Sequence, residues 1–472
     1  MGRKNTEKAV FHHIKVLDAG AKGVSVAKAP DGKVIFIPNV VPGDVVDVQT
    51  FKKRKAYYEG KAVKFHEYSE HRAAPVCIHF GVCGGCKWQN MKYSQQLAYK
   101  HNEVYNHLKR IGKVELPEFE PILGSEKEFF YRNKMEFSFS DSRWLTEDEI
   151  GADLNYTDKN ALGFHIPKMW DKILDVKKCW LQEDPSNSIR NEIRAFANAN
   201  NFTFFSPRNH TGLLRTLMIR TASTGEIMVL IQFCEDDVEQ RNQLLTFVAE
   251  RFPEITSLQY VINQKANDTL YDQEIILYSG RDYILEEMEG LKFSINAKSF
   301  YQTNSEQAYE LYKITRDFAG LTGNEVVYDL YTGTGTIAQF VSKNARKVIG
   351  VESVPAAILD AKANAKRNNV TNCEFFVGDM KEVFNESFIA MHGKPDVVIT
   401  DPPRDGMHKD VVEQLLKVGA AKIVYVSCNS ATQARDLALL DEMYAVTRVR
   451  PVDMFPQTHH VENVVLLEKR MI

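Results

Sequence analysis

Residues 326–338 read Val-Val-Tyr-Asp-Leu-Tyr-Thr-Gly-Thr-Gly-Thr-Ile-Ala, an apolar stretch that runs into a glycine loop. The stretch predicts a strand over Val326–Asp329, and the glycines let the backbone turn close to a ligand. Helix-like segments, including Pro355–Asn368 and Ser430–Leu440, alternate with further apolar strands downstream. These strands are predicted over Val348–Glu352, Glu374–Val377, Asp396–Thr400, Ile423–Ser427, Tyr444–Val449 and Val464–Lys469. The alternation predicts a doubly wound, mostly parallel sheet over residues 291–472, with its ligand at the carboxyl ends of the strands.

Four successive strands each deliver a polar residue or a glycine loop at that end. Tyr331 lies in the glycine loop, and Glu352 ends the next strand, where an acid can hydrogen-bond ribose hydroxyls. Asp379 follows the third strand, and Asp401 opens Asp-Pro-Pro-Arg-Asp-Gly (401–406) after the fourth. We interpret the set as a site for S-adenosylmethionine. The alternative is that these acids cap the following helices, and this alternative is strongest for Asp379.

Other nucleotide ligands fit this loop less well. The third glycine of the dinucleotide fingerprint is missing; the nearest small residue is Ala338, which lies one position later than the fingerprint requires, and this disfavours NAD. No Walker lysine follows the loop, which disfavours a P-loop nucleotide site.

Two motifs near the C-terminus carry candidate catalytic groups. Val-Ser-Cys-Asn-Ser (426–430) contains Cys428, and Glu462 follows 34 residues later in His-His-Val-Glu-Asn (459–463). A thiol and a carboxylate beside a methyl donor suit methylation of carbon 5 of uracil, which is a poor nucleophile until a thiolate adds to carbon 6. We therefore predict Cys428 as the nucleophile and Glu462 as the base that removes the carbon-5 proton. Alternatively, Cys428 is a small core residue and Glu462 a surface carboxylate.

Residues 10–68 predict a small OB-like barrel, because five or so short strands alternate with glycine and proline turns. Residues 1–72 carry 14 Lys/Arg against 8 Asp/Glu, a net charge of +6, whereas the whole chain has −3. The basic run 52–55 is followed by Tyr57 and Tyr58. This asymmetry favours a polyanionic partner for the barrel, although a solvated face would look the same.

Residues 69–290 are predicted to form a central α/β domain, with a helix over Gln95–Lys109 and a strand over Glu226–Phe233. The run 131–137, Tyr-Arg-Asn-Lys-Met-Glu-Phe, mixes aromatic and basic residues. It predicts either an RNA groove or an edge strand with outward charges.

The chain has seven cysteines, and three of them cluster as Cys77-x5-Cys83-Gly-Gly-Cys86, with Cys179 as a candidate fourth ligand. Four thiolates suit a [4Fe–4S] cluster or zinc. An iron–sulfur cluster is favoured over zinc, because structural zinc usually pairs two Cys-x2-Cys knuckles and only one is present here. It is also favoured over a set of free thiols. The Cys-x3-Cys-x2-Cys spacing of radical S-adenosylmethionine enzymes is absent, so the cysteines do not indicate that class. The other two thiols outside the catalytic motif are interpreted as core residues: Cys234 and Cys373.

At 472 residues, with 44% hydrophobic and 26% charged residues, the composition predicts a soluble protein of two to four domains. The longest apolar run, Ile227–Ile231, is far shorter than the roughly 20 residues that span a bilayer. The first residues have no apolar core of a secretory signal. We expect a cytoplasmic monomer that binds RNA and binds neither DNA nor membranes.

Together these motifs resemble the RumA type of RNA (uracil-5-)-methyltransferase, the family of 23S rRNA and transfer-RNA uracil methylases. The most specific parts are Ser-Phe-Tyr-Gln-Thr-Asn (299–304), the 401–406 motif, Ser-Cys-Asn and His-Val-Glu. The resemblance implies a TRAM RNA-binding barrel over 10–68, an iron–sulfur domain over 69–290 and a methyltransferase domain over 291–472. The barrel and the cysteine cluster together resemble the ribosomal branch, which implies 23S rRNA as the substrate and leaves transfer RNA as the alternative.

The resemblance also implies roles for individual residues. It implies Cys428 as nucleophile, Glu462 as base and Phe300 near the RNA bases. It implies a set of residues that bind S-adenosylmethionine: Gln302, Tyr331, Glu352 and Asp401, with Thr336 and Asp379 as further members. It implies a set of [4Fe–4S] ligands: Cys77, Cys83, Cys86 and Cys179.

Two departures from the family pattern are Thr332 in place of a cysteine and Ser430 in place of a proline. Neither removes a group that the mechanism uses. Arg404 stands where amino-group methylases carry an aromatic residue, which disfavours that class. A non-catalytic RNA-binding iron–sulfur protein is the alternative from outside enzymology, and the intact thiol, carboxylate and donor set argue against it.

Overall fold

The computed structural model describes residues 9–151 and 158–471, which form two compact units. The first unit contains the chain up to Asn102 together with Phe455–His460, and the second contains Glu103–Met454 and the chain from Val461. None of the helices in these described ranges is long and apolar enough to cross a membrane.

The first unit contains a closed five-stranded barrel, which confirms the prediction of a small barrel. Its strands run in the order β1-β2-β3-β5-β4 around the barrel. Their bounds are β1 Val10–Ala19, β2 Ser25–Lys28, β3 Val34–Ile37, β4 Val45–Lys53 and β5 Tyr57–Glu67. Strand β4 extends into the basic run 52–55, and β5 begins just after that run, at Tyr57. That run forms the tip of a hairpin, where the N–H of Arg54 donates to the carbonyl of Tyr57 at 2.8 Å.

Alternating side chains of these strands fill the barrel. Ile35 and Ile37 of β3, and Val46 and Val48 of β4, are completely buried in one apolar cluster. Burying an aliphatic side chain of this size contributes about 1.5–3 kcal/mol each. Buried and partly exposed residues alternate in β3. This is the period-2 pattern expected of a strand with one face towards the core and one towards solvent.

The second unit opens with an eight-stranded mixed sheet in the order β13-β12-β11-β10-β6-β8-β9-β7. Its strands are β6 Lys134–Ser140, β7 Arg143–Trp144, β8 Ala161–His165, β9 Ile173–Asp175, β10 Leu214–Thr221, β11 Ile227–Phe233, β12 Ser257–Ile262 and β13 Ile276–Gly280. Strand β6 pairs with β10 on one side and with β8 on the other. The interpretation of the 131–137 run as an edge strand is therefore wrong. The charged residues of the run suggested an edge strand. In the interior strand they alternate with buried residues such as Met135 and Phe137, and this alternation looks the same in both positions.

In the described residues, three helices and a hairpin accompany this sheet, and a further helix, α1 Tyr93–His107, begins in the first unit and ends in the second. The three helices are α2 Glu147–Gly151, α3 Ser186–Ala199 and α4 Val238–Arg251, and the hairpin strands are β14 Tyr283–Met288 and β15 Leu291–Asn296. Helix α1 begins two residues earlier than predicted and continues as a π-helical turn over Leu108–Gly112.

The C-terminal part of the second unit is a seven-stranded sheet in the order β18-β17-β16-β19-β20-β22-β21. Its strands are β16 Val326–Leu330, β17 Lys347–Glu352, β18 Cys373–Val377, β19 Val397–Thr400, β20 Lys422–Ser427, β21 Tyr444–Val452 and β22 Glu462–Lys469. Strands β16 to β20 are parallel, and β22 is antiparallel to both β20 and β21. The predicted doubly wound, mostly parallel sheet is confirmed.

Seven helices connect these strands. They are α5 Ser305–Ala319, α6 Thr336–Ser342, α7 Pro355–Arg367, α8 Met380–Val383, α9 Glu386–His392, α10 Lys409–Val418 and α11 Ser430–Leu440. Val326, Tyr328 and Leu330 of β16 belong to one core cluster with buried residues of α10 and α11. The strand order reverses between β16 and β19, so the loops after these two strands flank the crevice in which such sheets bind ligands.

Candidate active site

Cys428 occupies the turn between β20 and α11. The turn is rigid because the side chain of Asn429 caps the helix, accepting the N–H of Ala431 at 3.1 Å. Ser427 reinforces it, since its hydroxyl donates to the carbonyl of Asn429 and accepts the N–H of the same residue, both at 3.1 Å. Cys428 is partly exposed, so a ligand can reach the thiol.

Glu462 is brought beside Cys428 by strand register. Strand β22 is antiparallel to β20, and Ser427 lies opposite Asn463. The pairing ends there, so Cys428, the residue after β20, and Glu462, the first residue of β22, follow at the same end of the two strands, and the Glu462 carboxylate acts on the thiol. Glu462 is 5% exposed. The 33 residues between the two groups therefore return the chain to the point where it left β20.

Burial dominates the electrostatics of this pair. Burial, with the neighbouring carboxylates of Glu462 and Asp401, raises the pKa of Cys428 to about 11. Burial, together with Asp401, also raises the pKa of Glu462 to about 8. The pKa of Asp401 itself rises to about 7 because the carboxyl group is removed from water. Three acidic groups thus share a poorly hydrated site in which negative charge is costly.

Arg404 contributes positive charge to this site. Its charge opposes the rise of the pKa of the Cys428 thiol. Its backbone carbonyl accepts the side-chain N–H of Asn429 at 2.9 Å and the hydroxyl of Thr432 at 3.1 Å. The 401–406 loop is therefore tied to the turn that carries the thiol. The sequence motif contains Arg404, but no spacing in the sequence predicts that it acts on Cys428.

The glycine loop after β16 forms the second half of the site. Glu352, at the end of β17, accepts the N–H of Gly333 at 3.2 Å and that of Val354 at 3.0 Å. Tyr331 has φ 65° and Gly335 has φ 75°, both in the left-handed region. A Cβ on Gly335 would lie 2.9 Å from the ring of Phe375, so this position requires glycine for space as well as for backbone geometry.

Thr332, one of the two departures from the family pattern, has a defined role in this loop. Its hydroxyl donates to the carboxylate of Asp329 at 2.5 Å. Asp329 is completely buried, and burial raises its pKa to about 7. A hydroxyl is a stronger donor than a thiol, so threonine suits this buried acid.

Ser430, the other departure, bonds to a residue that the sequence analysis missed. The Nδ1 atom of His107 lies 2.8 Å from the hydroxyl oxygen of Ser430, at the start of the helix that follows Cys428. His107 is separated from this helix by 323 residues, and no local pattern predicts the pairing.

The remaining predicted donor-site residues differ in their surroundings. Thr336 is the buried first residue of α6, and its hydroxyl oxygen lies 3.2 Å from that of Thr334. Gln302 is half-buried in the loop after β15, where its carbonyl accepts the side-chain N–H of Asn133 at 2.9 Å. Asp379 is exposed and caps α8, accepting the N–H of Lys381. The helix-capping alternative therefore describes the contact that Asp379 makes. Phe300 is 70% exposed.

The four predicted cluster ligands belong to different units. Cys77, Cys83 and Cys86 are partly exposed in the loop after β5 in the first unit, and Cys179 is 9% exposed in the second. The three-cysteine loop is tightly turned: the N–H of Cys83 donates to the carbonyl of His79 at 3.0 Å, and Gly84 has φ 77°. Cys234 is buried, as expected, and Cys373 begins β18, where burial raises its pKa to about 12.

Comparison with known proteins identifies the family of the chain. Residues 270–470 match the family described as tRNA (Uracil-5-)-methyltransferase. A protein of Bacteroides thetaiotaomicron described as an uncharacterized RNA methyltransferase is 59% identical over 453 residues, which cover 95% of this chain and 100% of the relative. A Chlorobaculum tepidum protein of the same description is 37% identical over 97% of this chain and 96% of its own length.

A solved structure is similar as well. The tRNA (uracil-54, C5)-methyltransferase of Pyrococcus abyssi, in complex with S-adenosyl-L-homocysteine, superposes with a TM-score of 0.74 at 27% identity, covering 96% of this chain and 100% of that one. The matched relatives, the methyltransferase sheet and the crevice at its strand ends lead to one conclusion. The chain belongs to the family of S-adenosylmethionine-dependent RNA uracil-5-methyltransferases.

Proposed function

We propose that the protein methylates carbon 5 of a uridine in 23S rRNA, with Cys428 as the nucleophile and Glu462 as the base. The observation that carries this proposal is the antiparallel pairing of β20 with β22, which brings the buried Glu462 at the start of β22 to the end of β20, where the partly exposed Cys428 follows. Both groups lie at the same end of the sheet as the glycine loop and Asp401, where a methyl donor and a base can meet.

The target uridine must leave its stack to reach this crevice. The Cys428 sulfur then adds to carbon 6, and carbon 5 becomes the carbon of an enolate. Bound S-adenosylmethionine would supply the methyl group: carbon 5 takes it with the enolate electron pair, the bond from the methyl carbon to the positively charged sulfur breaks with its electrons staying on sulfur, and S-adenosylhomocysteine leaves. The Glu462 carboxylate removes the remaining carbon-5 proton, and the electrons of that C–H bond expel the thiolate from carbon 6. The methylated uridine and free Cys428 result.

Arg404 makes the first step feasible. At neutral pH a thiol with a pKa of about 11 is protonated, so addition to carbon 6 needs a positive group that stabilises the thiolate. The guanidinium of Arg404 lowers the pKa of the Cys428 thiol and so supplies positive charge for this step. The carboxylate of Asp401 raises the pKa of both Cys428 and Glu462. A bound ligand that neutralises the charge of Asp401 therefore favours ionisation of both catalytic groups.

The donor site in this proposal consists of Gln302, Tyr331, Glu352 and Asp401, with Thr336 and Asp379 as further members. Glu352 supports it, since a half-buried carboxylate at the tip of β17 suits ribose hydroxyls. The open backbone at Gly333, with φ 54° and nothing within 4 Å of an added Cβ, leaves space beside this carboxylate.

We also propose that Cys77, Cys83, Cys86 and Cys179 hold a [4Fe–4S] cluster. The donor set fits this group, because three thiols occur within ten residues of a loop whose glycines adopt left-handed φ angles, 85° at Gly81 and 77° at Gly84. Such a cluster would supply structural cross-linking through its iron–thiolate bonds.

For RNA recognition we propose three functional divisions: a TRAM-type barrel over 10–68, an iron–sulfur domain over 69–290 and a methyltransferase domain over 291–472. The exposed basic tip of the β4–β5 hairpin supports RNA binding by the barrel. Transfer RNA is the second candidate substrate, because the Pyrococcus abyssi neighbour is a transfer-RNA enzyme.

The experiment uses 5-fluorouridine-substituted 23S rRNA and transfer RNA with protein purified without oxygen. Fluorine at carbon 5 cannot leave as a proton, so the methylated intermediate stays bound to the thiol. We expect an adduct on 23S rRNA that mass spectrometry locates at Cys428. An adduct on transfer RNA alone would move the proposal to the second substrate.

Variants separate the two catalytic roles. Cys428→Ala should abolish turnover and the adduct, whereas Glu462→Gln should abolish turnover and accumulate covalent RNA even without fluorine. Full activity of Cys428→Ala would refute the mechanism.

A further inference from the structure

Two β-bulges in the barrel deliver histidines to one buried carboxylate. In the β1–β4 pairing, Phe11 lies opposite Val48 but Ile14 lies opposite Val46, so residues 12 and 13 face Asp47 together. In the β4–β5 pairing, Val46 lies opposite residue 65 and Val45 opposite residue 67, which makes His66 an extra residue. Bulges of this kind redirect side chains and are common beside functional sites.

The groups at these bulges are in close contact. Asp47 is 8% exposed, and its Oδ1 atom accepts the peptide N–H of His13 at 2.9 Å and lies 2.7 Å from Nε2 of His66. The rings of His13 and His66 stack with centroids 3.9 Å apart and planes 21° apart. One ligand atom from each of the three side chains lies within 4.8 Å of the others.

An ion pair between Asp47 and His66 is the simple explanation, but it does not account for His13. The Asp47 carboxylate is bonded to the peptide group of His13, so the imidazole of this residue is held nearby for another reason. His13 also has φ 53°, a left-handed conformation that is costly for a residue other than glycine.

We propose that His13, Asp47 and His66 form a binding site for a divalent transition-metal ion of the zinc type. Two imidazole nitrogens, one carboxylate oxygen and an open fourth position make a set that such ions accept. Nitrogen ligands disfavour Mg²⁺ and Ca²⁺, which prefer oxygen. Ligand atoms on one zinc ion lie about 3.5 Å apart, so movements of about 1 Å, which the exposed His13 ring allows, close the site. The ion would cross-link the adjacent strands β1, β4 and β5.

His12 provides a matched control. Its Nδ1 atom lies 3.1 Å from the other oxygen of Asp47, yet it is outside the group of three mutually close ligand atoms. A His12→Gln variant therefore loses a histidine contact to the same carboxylate without losing a proposed ligand.

The test is a Co²⁺ titration of the untagged full-length protein, purified without oxygen so that the cysteine site keeps its contents. Cobalt reports its ligands: nitrogen and oxygen give visible d–d bands, whereas thiolates add an intense near-ultraviolet charge-transfer band. We expect one Co²⁺ per chain with the d–d bands and without the thiolate band. His13→Gln and His66→Gln should each bind Co²⁺ about 100-fold or more weakly, since loss of groups that only orient ligands already costs about 10–100-fold. His12→Gln should bind like the unaltered protein.

Circular dichroism without metal checks that each variant keeps its barrel. Because His13 is exposed, His13→Gln remains a valid test if His66→Gln fails to fold. The proposal is overturned if no nitrogen–oxygen cobalt spectrum develops, if both ligand variants bind Co²⁺ as the unaltered protein does, or if His12→Gln loses binding to the same extent.

Discussion

Replacing Glu462 by glutamine should lower the pKa of the Cys428 thiol. Glutamine has nearly the same volume, so burial, the largest cause of the raised thiol pKa, is retained, and only the negative charge is removed. Because the pKa of Glu462 is raised to about 8 and that of Cys428 to about 11, the glutamate is ionised when the thiol titrates. Its charge therefore opposes thiolate formation.

The size of the effect follows from the strand register. If the two charges lie about 5–6 Å apart, the spacing of neighbouring side chains on paired strands, an effective dielectric constant of about 20 gives about 3 kcal/mol, or about two pKa units. We expect the midpoint for Cys428 to fall from about 11 to about 9. At pH 9 the thiolate fraction rises about 50-fold, and the lower intrinsic nucleophilicity of a less basic thiolate reduces the gain in alkylation rate to about sixfold.

The assay is alkylation by iodoacetamide between pH 7 and pH 11, with mass spectrometry of the peptide that contains Cys428. Asp379→Asn is the control, because it removes a carboxylate near the same edge of the sheet that does not act on the thiol. An unchanged midpoint in Glu462→Gln would refute the argument from strand register, since the carboxylate would not face the thiol.

Three further effects follow from the same geometry. The kcat/KM for methylation should rise at least tenfold per pH unit up to about pH 8 and less steeply above it, because the carboxyl group of Glu462 cannot act as a base below its raised pKa and the Cys428 thiol, with a pKa of about 11, also ionises progressively; initial rates between pH 6 and pH 8.5 measure this. Gly335→Ala should weaken S-adenosylmethionine binding at least tenfold in calorimetry and lower the free energy of unfolding by about 1–3 kcal/mol, because φ 75° and the ring of Phe375 at 2.9 Å both exclude a Cβ. Ser430→Ala, which removes the bond to His107, should lower the free energy of unfolding by about 1 kcal/mol in urea denaturation.

Each of these effects has a result that would contradict it. A kcat/KM that is flat from pH 6 to pH 8 would mean that Glu462 is not the base. Unchanged donor binding in Gly335→Ala would place the donor elsewhere. For the Ser430 bond, His107→Ala should cause no further loss in a Ser430→Ala background, and additive losses would show that the two residues act independently.

Much of the fold was predictable because local patterns decide it. The parallel strands are short apolar runs bounded by turn residues, and β16, β17 and β20 begin and end within one residue of their predicted bounds. Strand β6 was harder to predict, since a strand with one charged face looks the same at the edge and in the interior of a sheet. Only its pairing partners, β8 and β10, distinguish the two.

The candidate site divides in the same way. The residue types at the strand ends, among them Cys428, Glu352 and Asp401, are determined by the sequence alone, as is the glycine loop that needs left-handed angles. Tertiary structure alone decided that β22 returns antiparallel to β20, that Arg404 acts on the thiol and that Glu462 is buried. The residue type gives a side chain its ordinary pKa. Burial and the distance to neighbouring charges then shift that pKa to the value in the folded protein. Burial and these distances are established only when strands that are distant in sequence pair with each other.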